Sequence, residues 1–347
     1  MLAEYIWLDG TKGFPQIRGK LRVLKDIQAK ALGSYETSDF PEWGFDGGST
    51  NQGTLSDSDS VLKPCRIYTN PLMSEGVIVL CSVYEPDGTS SESNTRIKLE
   101  TLSSKTRKEE PIFGFEQEYT LFKGNTPAGF TEGVPAPQGP YYCGVGTGKI
   151  VHRELAETHL QKCLKAGIDL HGINAEVMPG QWEFQTAANS PLKASDDLWA
   201  ARYVLERLAE ERGLNVSYDP KPMEDWNGAG CHANFSTKDM REGTSDDEGG
   251  ISGYEFIKHA IERLESRHMK HIKVYGTGIA KRLTGECETS PVHEFTWGVS
   301  DRGASIRVPA HVKKEGKGYL EDRRPCANID PYKVAAIILE TVLKFDS

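Results

Sequence analysis

The spacing of apolar residues predicts several helices along the chain. Apolar positions three and four apart give each of them one packed face. The first covers 151–166 and ends at Gly167, which tolerates the left-handed conformation of a helix end. The second is predicted to start at Ser195 as its cap and to run up to Arg212. The remaining predicted helices are 254–270, one that begins at Asp330-Pro331, and one over 25–32.

Runs of β-branched and aromatic residues predict the strands. They cover 5–8, 77–84 and 111–122, and a strand follows Gly230. Paired strands alternating with single packed helices favour an α+β fold, a sheet covered on one side by helices. The polar stretch 90–110 is interpreted as a solvated helix or a linker, and the domain boundary is placed in it. The predicted domains are 1–104 and 105–347.

The stretch 173–184 is predicted to be a tight hairpin with Pro179 and Gly180 at its corners. This register places Glu176 directly opposite Glu183. Like charges facing each other destabilise a sheet, so a cation should compensate them, and a hard metal ion is the simplest candidate. The alternative is a solvated sheet edge with sodium nearby.

A second pair of acidic side chains lies on the strand at 111–122. Because side chains alternate along a strand, Glu116 and Glu118 share one face. A polar face also begins at His232 and continues through Asn234 and Ser236. A concave polar site explains both faces. The alternatives are an exposed amphipathic strand for Glu116 and Glu118, and a hydrogen-bonded core residue for His232. His268 and His271 are predicted to be surface residues.

Four arginines close to each other in the sequence suggest an oxyanion site. They are Arg302, Arg307, Arg323 and Arg324, and the guanidinium fork matches phosphate and carboxylate oxygens. Salt bridges to neighbouring acids are the alternative.

Two glycine-rich segments give only weak indications of a functional site. The loop 135–149 is rich in glycine and proline and is interpreted as a flexible loop, because its segment 144–150 lacks the spacing of a phosphate-binding loop. Asp46 before two glycines is, by itself, ordinary turn chemistry.

Composition narrows the function classes. The 347 residues carry a formal net charge of −9, with a pI of about 5.6, which argues against nucleic-acid and anionic membrane partners. No apolar run is long enough to span a bilayer, and no secretion signal is evident at the N-terminus. Seven cysteines without a CxxC pair favour reduced thiols in the cytoplasm over a disulfide framework or a zinc site.

The candidate ligands taken together indicate a metal chemistry. Several carboxylates, one imidazole and no thiolate favour Mg²⁺ or Mn²⁺ over zinc. Divalent ions beside an arginine cluster are typical of phosphoryl transfer. Since no phosphate loop or kinase motif is present, a nucleotide would be held mainly through metals and arginines.

Several motifs, in order, make the sequence resemble glutamine synthetase, in its short eukaryotic-like type II form. They are Phe45-Asp46-Gly47-Gly48-Ser49-Thr50, Gly114-Phe115-Glu116-Gln117-Glu118-Tyr119, Asn174-Ala175-Glu176 with Gln181-Trp182-Glu183, Asn227-Gly228-Ala229-Gly230-Cys231-His232-Ala233-Asn234-Phe235-Ser236, Arg282-Leu283-Thr284-Gly285, and Tyr319-Leu320-Glu321-Asp322-Arg323-Arg324-Pro325. Gly48 and Cys287 depart from the family's usual Ser and His. The resemblance implies a small β-grasp N-terminal domain and a catalytic domain whose curved antiparallel sheet is backed by helices.

The resemblance also implies a role for each site residue. The implied metal ligands are Glu118, Glu176 and Glu183 for the ion that helps to bind glutamate, and Glu116, His232 and Glu321 for the ion on the ATP phosphates. The implied glutamate contacts are Trp226, Asn227, Gly228, Arg282, Arg302 and Arg323. The implied ATP contacts are Glu116, Glu183, Asn234, Ser236, Arg302, Arg307 and Tyr319. The implied catalytic residues are Asp46, Glu288, Arg302 and Arg324.

The activity implied by the resemblance is the ATP-dependent ligation of ammonia to the γ-carboxylate of L-glutamate through γ-glutamyl phosphate, with two or three Mg²⁺ or Mn²⁺ ions per site. The implied assembly is a homodecamer of two stacked rings of five, in which Asp46 acts in the neighbouring subunit's site. Two alternatives are a γ-glutamyl ligase for a larger amine and a non-catalytic structural relative. The presence of all six implied ligands argues against the second.

Overall fold

The structure is a computed structural model that describes residues 1–25, 27, 30, 34–54, 56–130, 135–244 and 250–344. The helix predicted over 25–32 lies largely outside the described residues. The strands are β1 (Leu2–Leu8), β2 (Ile17–Val23), β3 (Trp43–Asp46), β4 (Asp59–Thr69), β5 (Gly76–Tyr84), β6 (Ile112–Lys123), β7 (Thr126–Pro127), β8 (Leu170–Ala175), β9 (Gln181–Thr186), β10 (Asn215–Ser217), β11 (Cys231–Ser236), β12 (Trp297–Val299), β13 (Ile306–Val308) and β14 (Leu320–Asp322). The α-helices are α1 (Arg96–Lys105), α2 (Arg153–Ala166), α3 (Pro191–Glu210), α4 (Lys238–Glu242), α5 (Gly253–Ser266), α6 (His268–Ile272), α7 (Ile279–Arg282), α8 (Ala310–Glu315) and α9 (Pro331–Val342). Among these helices, none has the length and apolar character needed to cross a membrane.

The N-terminal sheet has five strands in the order β2-β1-β5-β4-β3. β1 pairs with β5 in parallel, and the other pairs are antiparallel. Alternate side chains of β1 and β5, among them Tyr5, Trp7 and Val79, are buried in a core of their own. The strands predicted at 5–8 and 77–84 are therefore confirmed.

The second sheet runs in the order β12-β13-β14-β11-β6-β9-β8, and β7 and β10 both pair with β6. Every pair is antiparallel except β12 with β13. The long α3 packs against β6 and β9, and it also contacts α2, α9 and α1. The predicted α+β class is thus confirmed, with β6 at the centre of the larger sheet.

One face of β6 belongs to the core and the other to polar chemistry. Phe115, Gln117 and Tyr119 are all at most 1 % exposed, and Gln117 bonds to α3. Each buried aromatic ring on this face contributes roughly 1.5–3 kcal/mol through the apolar surface it removes from water. The opposite face carries Glu116 and Glu118, as the alternation predicted. The packed core therefore fixes where these two carboxylates point.

Two predicted helix boundaries are confirmed and one is wrong. Gly167 ends α2 with φ of 83°, and the Asp330 side chain caps α9 by accepting from the Tyr332 amide at 3.0 Å. The helix predicted to start at Ser195 begins at Pro191 instead, because a proline at the first position needs no amide partner. Ser195 lies inside α3, and its hydroxyl donates to the Pro191 carbonyl at 2.8 Å.

Two further expectations need correction. The helix predicted over 254–270 is divided at Arg267 into α5 and α6. The stretch 90–110 does contain a helix, but α1 is not solvated all round. Leu99 and Leu102 are buried in the main core, where α1 packs against α3 and α9.

Candidate active site

Four neighbouring strands bring five of the six implied metal ligands onto one face of the larger sheet. On β6 and β9, Glu118 lies directly opposite Glu183. On β6 and β11, Glu116 lies opposite His232. On β14, Glu321 is two strands from β6 and opposite Asn234 of β11. The ladder register therefore decides the spacing of these side chains, which come from distant parts of the sequence.

Two groups of ligand atoms within this face are close enough to hold an ion. Glu116, His232 and Glu321 form one group, and Glu118, Glu183 and His232 form the other, with the ligand atoms of each group within 4.8 Å of one another. His232 Nδ1 lies 3.3 Å from Glu116 Oε2 and 3.6 Å from Glu321 Oε1. Oxygen donors with a single imidazole suit Mg²⁺ or Mn²⁺. The donor set thus fits the metals that the sequence predicts.

The carboxylates of this face repel one another. Burial raises the pKa of Glu118 to about 7, against the lowering effect of Arg282 and the Gly230 amide. The pKa of Glu183 is also well above its usual value because of burial and of the neighbouring carboxylates. The pKa of Glu176 rises to about 8 for the same two reasons, with Glu118 as the main neighbour. A cation bound among them would remove this penalty.

His232 is held as a neutral imidazole. Burial, together with the charges of Arg323 and Arg282, keeps its pKa well below the usual value. Arg282 NH2 lies 3.0 Å from Nε2 of the ring. Gly230 makes this approach possible, because a Cβ there would lie 2.5 Å from the Arg282 NH2 atom and 2.9 Å from His232 Nε2. The uncharged ring is the form in which histidine binds metals.

The hairpin that carries Glu176 has a different register from the predicted one. The turn at Pro179 and Gly180 is confirmed, since the Gln181 amide donates to the Met178 carbonyl at 2.9 Å. However, Glu183 pairs with Asn174, two residues from the predicted partner Glu176. Glu176 pairs instead with Gln181, its amide donating to the Gln181 carbonyl at 2.9 Å.

The physical reason for the shift is the burial of Met178. Its side chain packs fully buried in a cluster with Phe130, Tyr141 and Trp226, which takes 177–180 out of the ladder. The Glu176 carboxylate still reaches the polar face, where it accepts from Asn174 Nδ2 at 2.9 Å and from the Val177 amide at 3.1 Å.

A cavity of about 470 Å³ lies over these carboxylates. The basic residues in its wall are Arg302, Arg307 and Arg323, and Glu288 also lines it. Glu321 accepts from Arg307 NH1 and from Arg323 NH1, each at 2.6 Å. The cavity therefore combines a carboxylate floor with guanidinium groups above one end.

A second cavity of about 410 Å³ adjoins the first, and Glu116 and Gln185 line both. Its walls are less polar and include Tyr319, Asn234 and Ser236. Asn234 Nδ2 donates to Glu116 Oε1 at 2.8 Å, which links the two cavities. Together, the two cavities can hold an elongated ligand with one charged end and one less polar end.

Comparison with known proteins identifies the family of this site. The model of the glutamine synthetase catalytic domain matches residues 94–344. The chain is 49 % identical to a glutamine synthetase of Streptomyces viridochromogenes over 344 residues, 98 % of this chain and 96 % of that protein. It is 48 % identical to the glutamine synthetase of Saccharomyces cerevisiae over 349 residues, 99 % of this chain and 89 % of that protein. The glutamine synthetase of Candida glabrata is 49 % identical over 99 % of this chain and 88 % of its own length.

The chain belongs to the glutamine synthetase family. The resemblance seen in the motifs is thereby confirmed. Ten of the residues that the resemblance implies line the first cavity, namely Glu116, Glu118, Glu176, Glu183, His232, Glu288, Arg302, Arg307, Glu321 and Arg323. Asn234, Ser236 and Tyr319 line the second.

Three residues that the resemblance implies as glutamate contacts line neither cavity of this glutamine synthetase family member. Trp226 packs against Phe130 and Tyr141. Asn227 Oδ1 accepts from Gln138 Nε2 at 2.8 Å, and the Gly228 carbonyl accepts from Gln181 Nε2 at 3.1 Å. Of these contacts, the one between Asn227 and Gln138 reaches a residue that lines the first cavity.

Two implied arginines lie beneath the cavity instead of lining it. Arg282 donates to the carbonyls of Arg323 and Arg324 at 3.0 and 3.3 Å. Arg324 is 1 % exposed and pairs with Asp322 through two bonds of 2.8 and 2.6 Å. Both guanidinium groups support the strand that carries Glu321.

Asp46 does not line either cavity of its own chain. It is exposed at the end of β3, where its carboxylate accepts from the Gly48 amide at 3.0 Å and from the Ser49 hydroxyl at 2.6 Å. The Ser49 bond lowers the pKa of Asp46. Asp46 is therefore an ionised carboxylate at neutral pH.

The structure adds residues that the sequence did not suggest. Gln138, Gly139 and Tyr142 line the first cavity, whereas the sequence predicts only a flexible loop over 135–149. The Cys143 amide donates to the Ala175 carbonyl at 2.9 Å and ties the loop to β8. The only signal in the sequence was a pair of tyrosines within a segment rich in glycine and proline.

The prediction that His268 and His271 are surface residues is wrong. His268 is 7 % exposed and His271 is fully buried. His271 bonds to Tyr275 at 2.6 Å and to Thr341 at 2.8 Å. Because α6 lies against α9, its histidines face the core and not solvent.

Proposed function

We propose that the two adjoining cavities form one active site that makes L-glutamine from L-glutamate, ammonia and ATP through γ-glutamyl phosphate. Glutamine synthetases catalyse this ATP-dependent synthesis, and the chain belongs to their family over nearly its whole length. The observation that carries the proposal is the face shared by Glu116, Glu118, Glu183, His232 and Glu321, with arginines at one end. ATP occupies the second cavity and glutamate the first.

The carboxylates and the imidazole are the residues that would hold two or three Mg²⁺ or Mn²⁺ ions. Glu116, His232 and Glu321 would hold the ion on the nucleotide side, as their atoms within 4.8 Å support. Glu118 and Glu183, together with Glu176, would hold the ion on the glutamate side. When bound, these ions neutralise the negative charge of phosphate and carboxylate oxygens.

In the first step, an oxygen of the glutamate γ-carboxylate attacks the γ-phosphorus of ATP. The new O–P bond forms as the bond to ADP breaks, and ADP carries away the electron pair. Arg302 is exposed in the cavity wall, and among the described residues its guanidinium has no bonding partner. It can therefore bind the transferred phosphoryl group, while Arg307 and Arg323 already face Glu321.

In the second step, ammonia attacks the acyl carbon and phosphate leaves with the electrons of the C–O bond. Ammonium must first lose a proton, which an ionised carboxylate can accept. Asp46 of a neighbouring copy and Glu288 are the carboxylates proposed to bind ammonium and to accept this proton. Water must be kept out, since it would hydrolyse the acyl phosphate. The loop that carries Glu288 is proposed to cover the site.

We further propose that the active site is completed by a second copy of the chain in a homodecamer of two stacked rings of five. The exposure of Asp46 away from its own cavities supports this assignment. The proposed domain division is 1–104 and 105–347, with its boundary at the end of α1, although Leu99 and Leu102 of that helix pack in the core of the larger sheet. A cytoplasmic location is proposed as well, supported by seven free cysteines.

The direct test measures glutamine formed from glutamate, ammonium and MgATP. Glu176→Gln should abolish metal-dependent activity, because it removes one proposed ligand. Glu4→Gln is a matched control, since burial also raises the pKa of Glu4 but this residue lines neither cavity. Absence of product from the folded wild-type oligomer, or full activity of the Glu176 variant at ordinary Mg²⁺ concentrations, would contradict the proposal.

A further inference from the structure

Arg202 is a fully buried arginine in the middle of α3, on the helix side of the larger sheet. Its guanidinium carbon lies 4.5 Å from the centre of the Trp199 ring, and Phe14 and Tyr218 pack around it. Within the described parts of the chain, it forms no direct ion pair, although the carboxylates of Asp330 and Glu206 attract it at longer range. A buried charge without a counter-ion in contact is costly unless hydrogen bonds satisfy it. The partners of those bonds therefore indicate what the residue does.

All of these partners belong to the framework of the proposed metal site. Gln117 Oε1 accepts from Nε of Arg202 at 2.9 Å and also from NH2. The carbonyls of Ile329 and Ala327 accept from NH1 and NH2 at 2.9 and 3.0 Å. Gln117 Nε2 in turn donates to the Glu118 carbonyl at 2.7 Å and to the Ala327 carbonyl at 3.0 Å. Both polar ends of Gln117 are thus occupied.

These bonds tie together the strands that carry the ligands. Gln117 stands between Glu116 and Glu118 on β6 but points to the opposite face, so it holds this strand from behind. The Ala327 amide donates to the Ala229 carbonyl at 3.0 Å, immediately before the strand of His232. The same segment follows β14, which carries Glu321. A single guanidinium therefore connects the backbones beside four ligands.

We propose that Arg202 and Gln117 are positioning residues of the metal site, which hold the carboxylates of Glu116 and Glu118 at a fixed distance from His232. Like charges on neighbouring strands push those strands apart. The rigid fork of Arg202 bonds to β6 through Gln117 and to the segment 327–329, so it resists this displacement without touching any ligand. The inference rests on the proposed function, because it assumes that divalent metal binds at this face.

The test is a direct titration of Mn²⁺ into the metal-free full-length protein, with free Mn²⁺ followed by electron paramagnetic resonance. Arg202→Lys keeps the positive charge but loses the planar, forked set of guanidinium donors. Loss of an outer contact of a metal site typically weakens metal binding about 10–100-fold, and we expect a loss of about tenfold here. The matched control is Arg96→Lys, since Arg96 is also buried and makes a forked pair with Asp196 of α3, but does not bond to β6. It should leave Mn²⁺ affinity unchanged.

Gln117→Asn provides a second variant if the lysine variant does not fold. It keeps the same polar groups but is one methylene shorter, so it cannot bond to Arg202 and to the Glu118 carbonyl together. We expect about tenfold weaker Mn²⁺ binding than in wild type. The KM for Mg²⁺ should also rise by a larger factor than the KM for glutamate. Folded variants that are less stable but bind Mn²⁺ like wild type would overturn the inference. Failure of wild type itself to bind Mn²⁺ would overturn the proposed function instead.

Discussion

Glu118 and Glu183 stand directly opposite each other on neighbouring antiparallel strands, with both side chains buried. The Gly230 amide donates to Glu118 at 2.8 Å, and Gln185 bonds to Glu183, so each carboxylate is held in place. Burial raises the pKa of both groups. A protein gains nothing for stability from such a pair, so the arrangement is best explained by the cation that it binds.

The first prediction concerns stability without metal. Glu118→Gln should stabilise the metal-free protein at pH 8 by about 2–3 kcal/mol, because it removes a carboxylate whose pKa is raised from 4.5 to about 7. Denaturant unfolding in the presence of EDTA measures this free energy. Added Mn²⁺ should reverse the order, since metal stabilises only the wild-type site strongly.

Glu157→Gln serves as the control, because Glu157 is exposed on α2. It should change the free energy of unfolding by less than about 0.5 kcal/mol with or without metal. A Glu118 variant that is less stable than wild type in EDTA would show that this carboxylate supports the fold.

The second prediction concerns pH. Glu118 and Glu176 have pKa values raised from 4.5 to about 7 and about 8, so the folded protein binds their protons more tightly than the unfolded chain does. The stability they contribute is present below pH 4.5 and is lost as pH rises to about 8. His232 has the opposite sign, since its lowered pKa reduces stability only as pH falls below about 6.5.

The effect of the glutamates on stability can therefore be measured separately from that of His232 between pH 6.5 and 8. There, the metal-free protein should lose stability as pH rises, by up to about 1.4 kcal/mol per unit for each proton released. Saturating Mg²⁺ should remove most of this slope, because the metal replaces the protons. The pKa of Glu206, outside the site, is also raised to about 7. Only the difference between the stability curves measured with and without Mg²⁺ therefore reports on the metal ligands. Parallel curves would contradict the prediction.

The third prediction concerns the second copy of the chain. Asp46→Asn and Glu118→Gln should each be inactive alone. Mixed oligomers should regain activity, because some sites then combine Asp46 from one chain with Glu118 from another. Random mixing in equal amounts gives about a quarter of the wild-type activity. The rate of glutamine formation by reassembled mixtures tests this prediction.

A double variant, Asp46→Asn with Glu118→Gln, mixed with Asp46→Asn is the control, since no site in that mixture has both residues. Mixtures of the two single variants that remain inactive would place Asp46 in the site of its own chain, whereas an Asp46→Asn variant that is active alone would place Asp46 outside catalysis.

The fourth prediction concerns the amine. Ammonium should support ATP-dependent phosphate release at least about tenfold better than methylamine, because a pocket formed by carboxylates suits a small cation and one added methyl group is worth roughly 1–3 kcal/mol. Phosphate release with each amine, at matched concentrations of the protonated form, measures the ratio. A clear preference for methylamine would favour the γ-glutamyl ligase alternative.

Much of the chemistry was accessible from the sequence, because it depends on local rules. Alternation along 111–122 placed Glu116 and Glu118 on one face, and the proline and glycine after Met178 marked a turn. The ordered motifs identified the family. By contrast, the partner of Glu183 was predicted incorrectly. Turn residues constrain only the corner, whereas the packing of Met178 against Trp226 determined where the ladder begins.

The sequence by itself thus determined the donor types, the family and most of the strands. Only the tertiary structure decided that Glu118 faces Glu183, that Arg324 pairs with Asp322 beneath the cavity, and that Arg202 bonds to the back of β6. These relationships join residues 65 or more positions apart, except for the pair Arg324 and Asp322, whose burial likewise depends on distant segments. Such contacts follow from sheet register and core packing, and neither is fixed by the residues nearby in the chain.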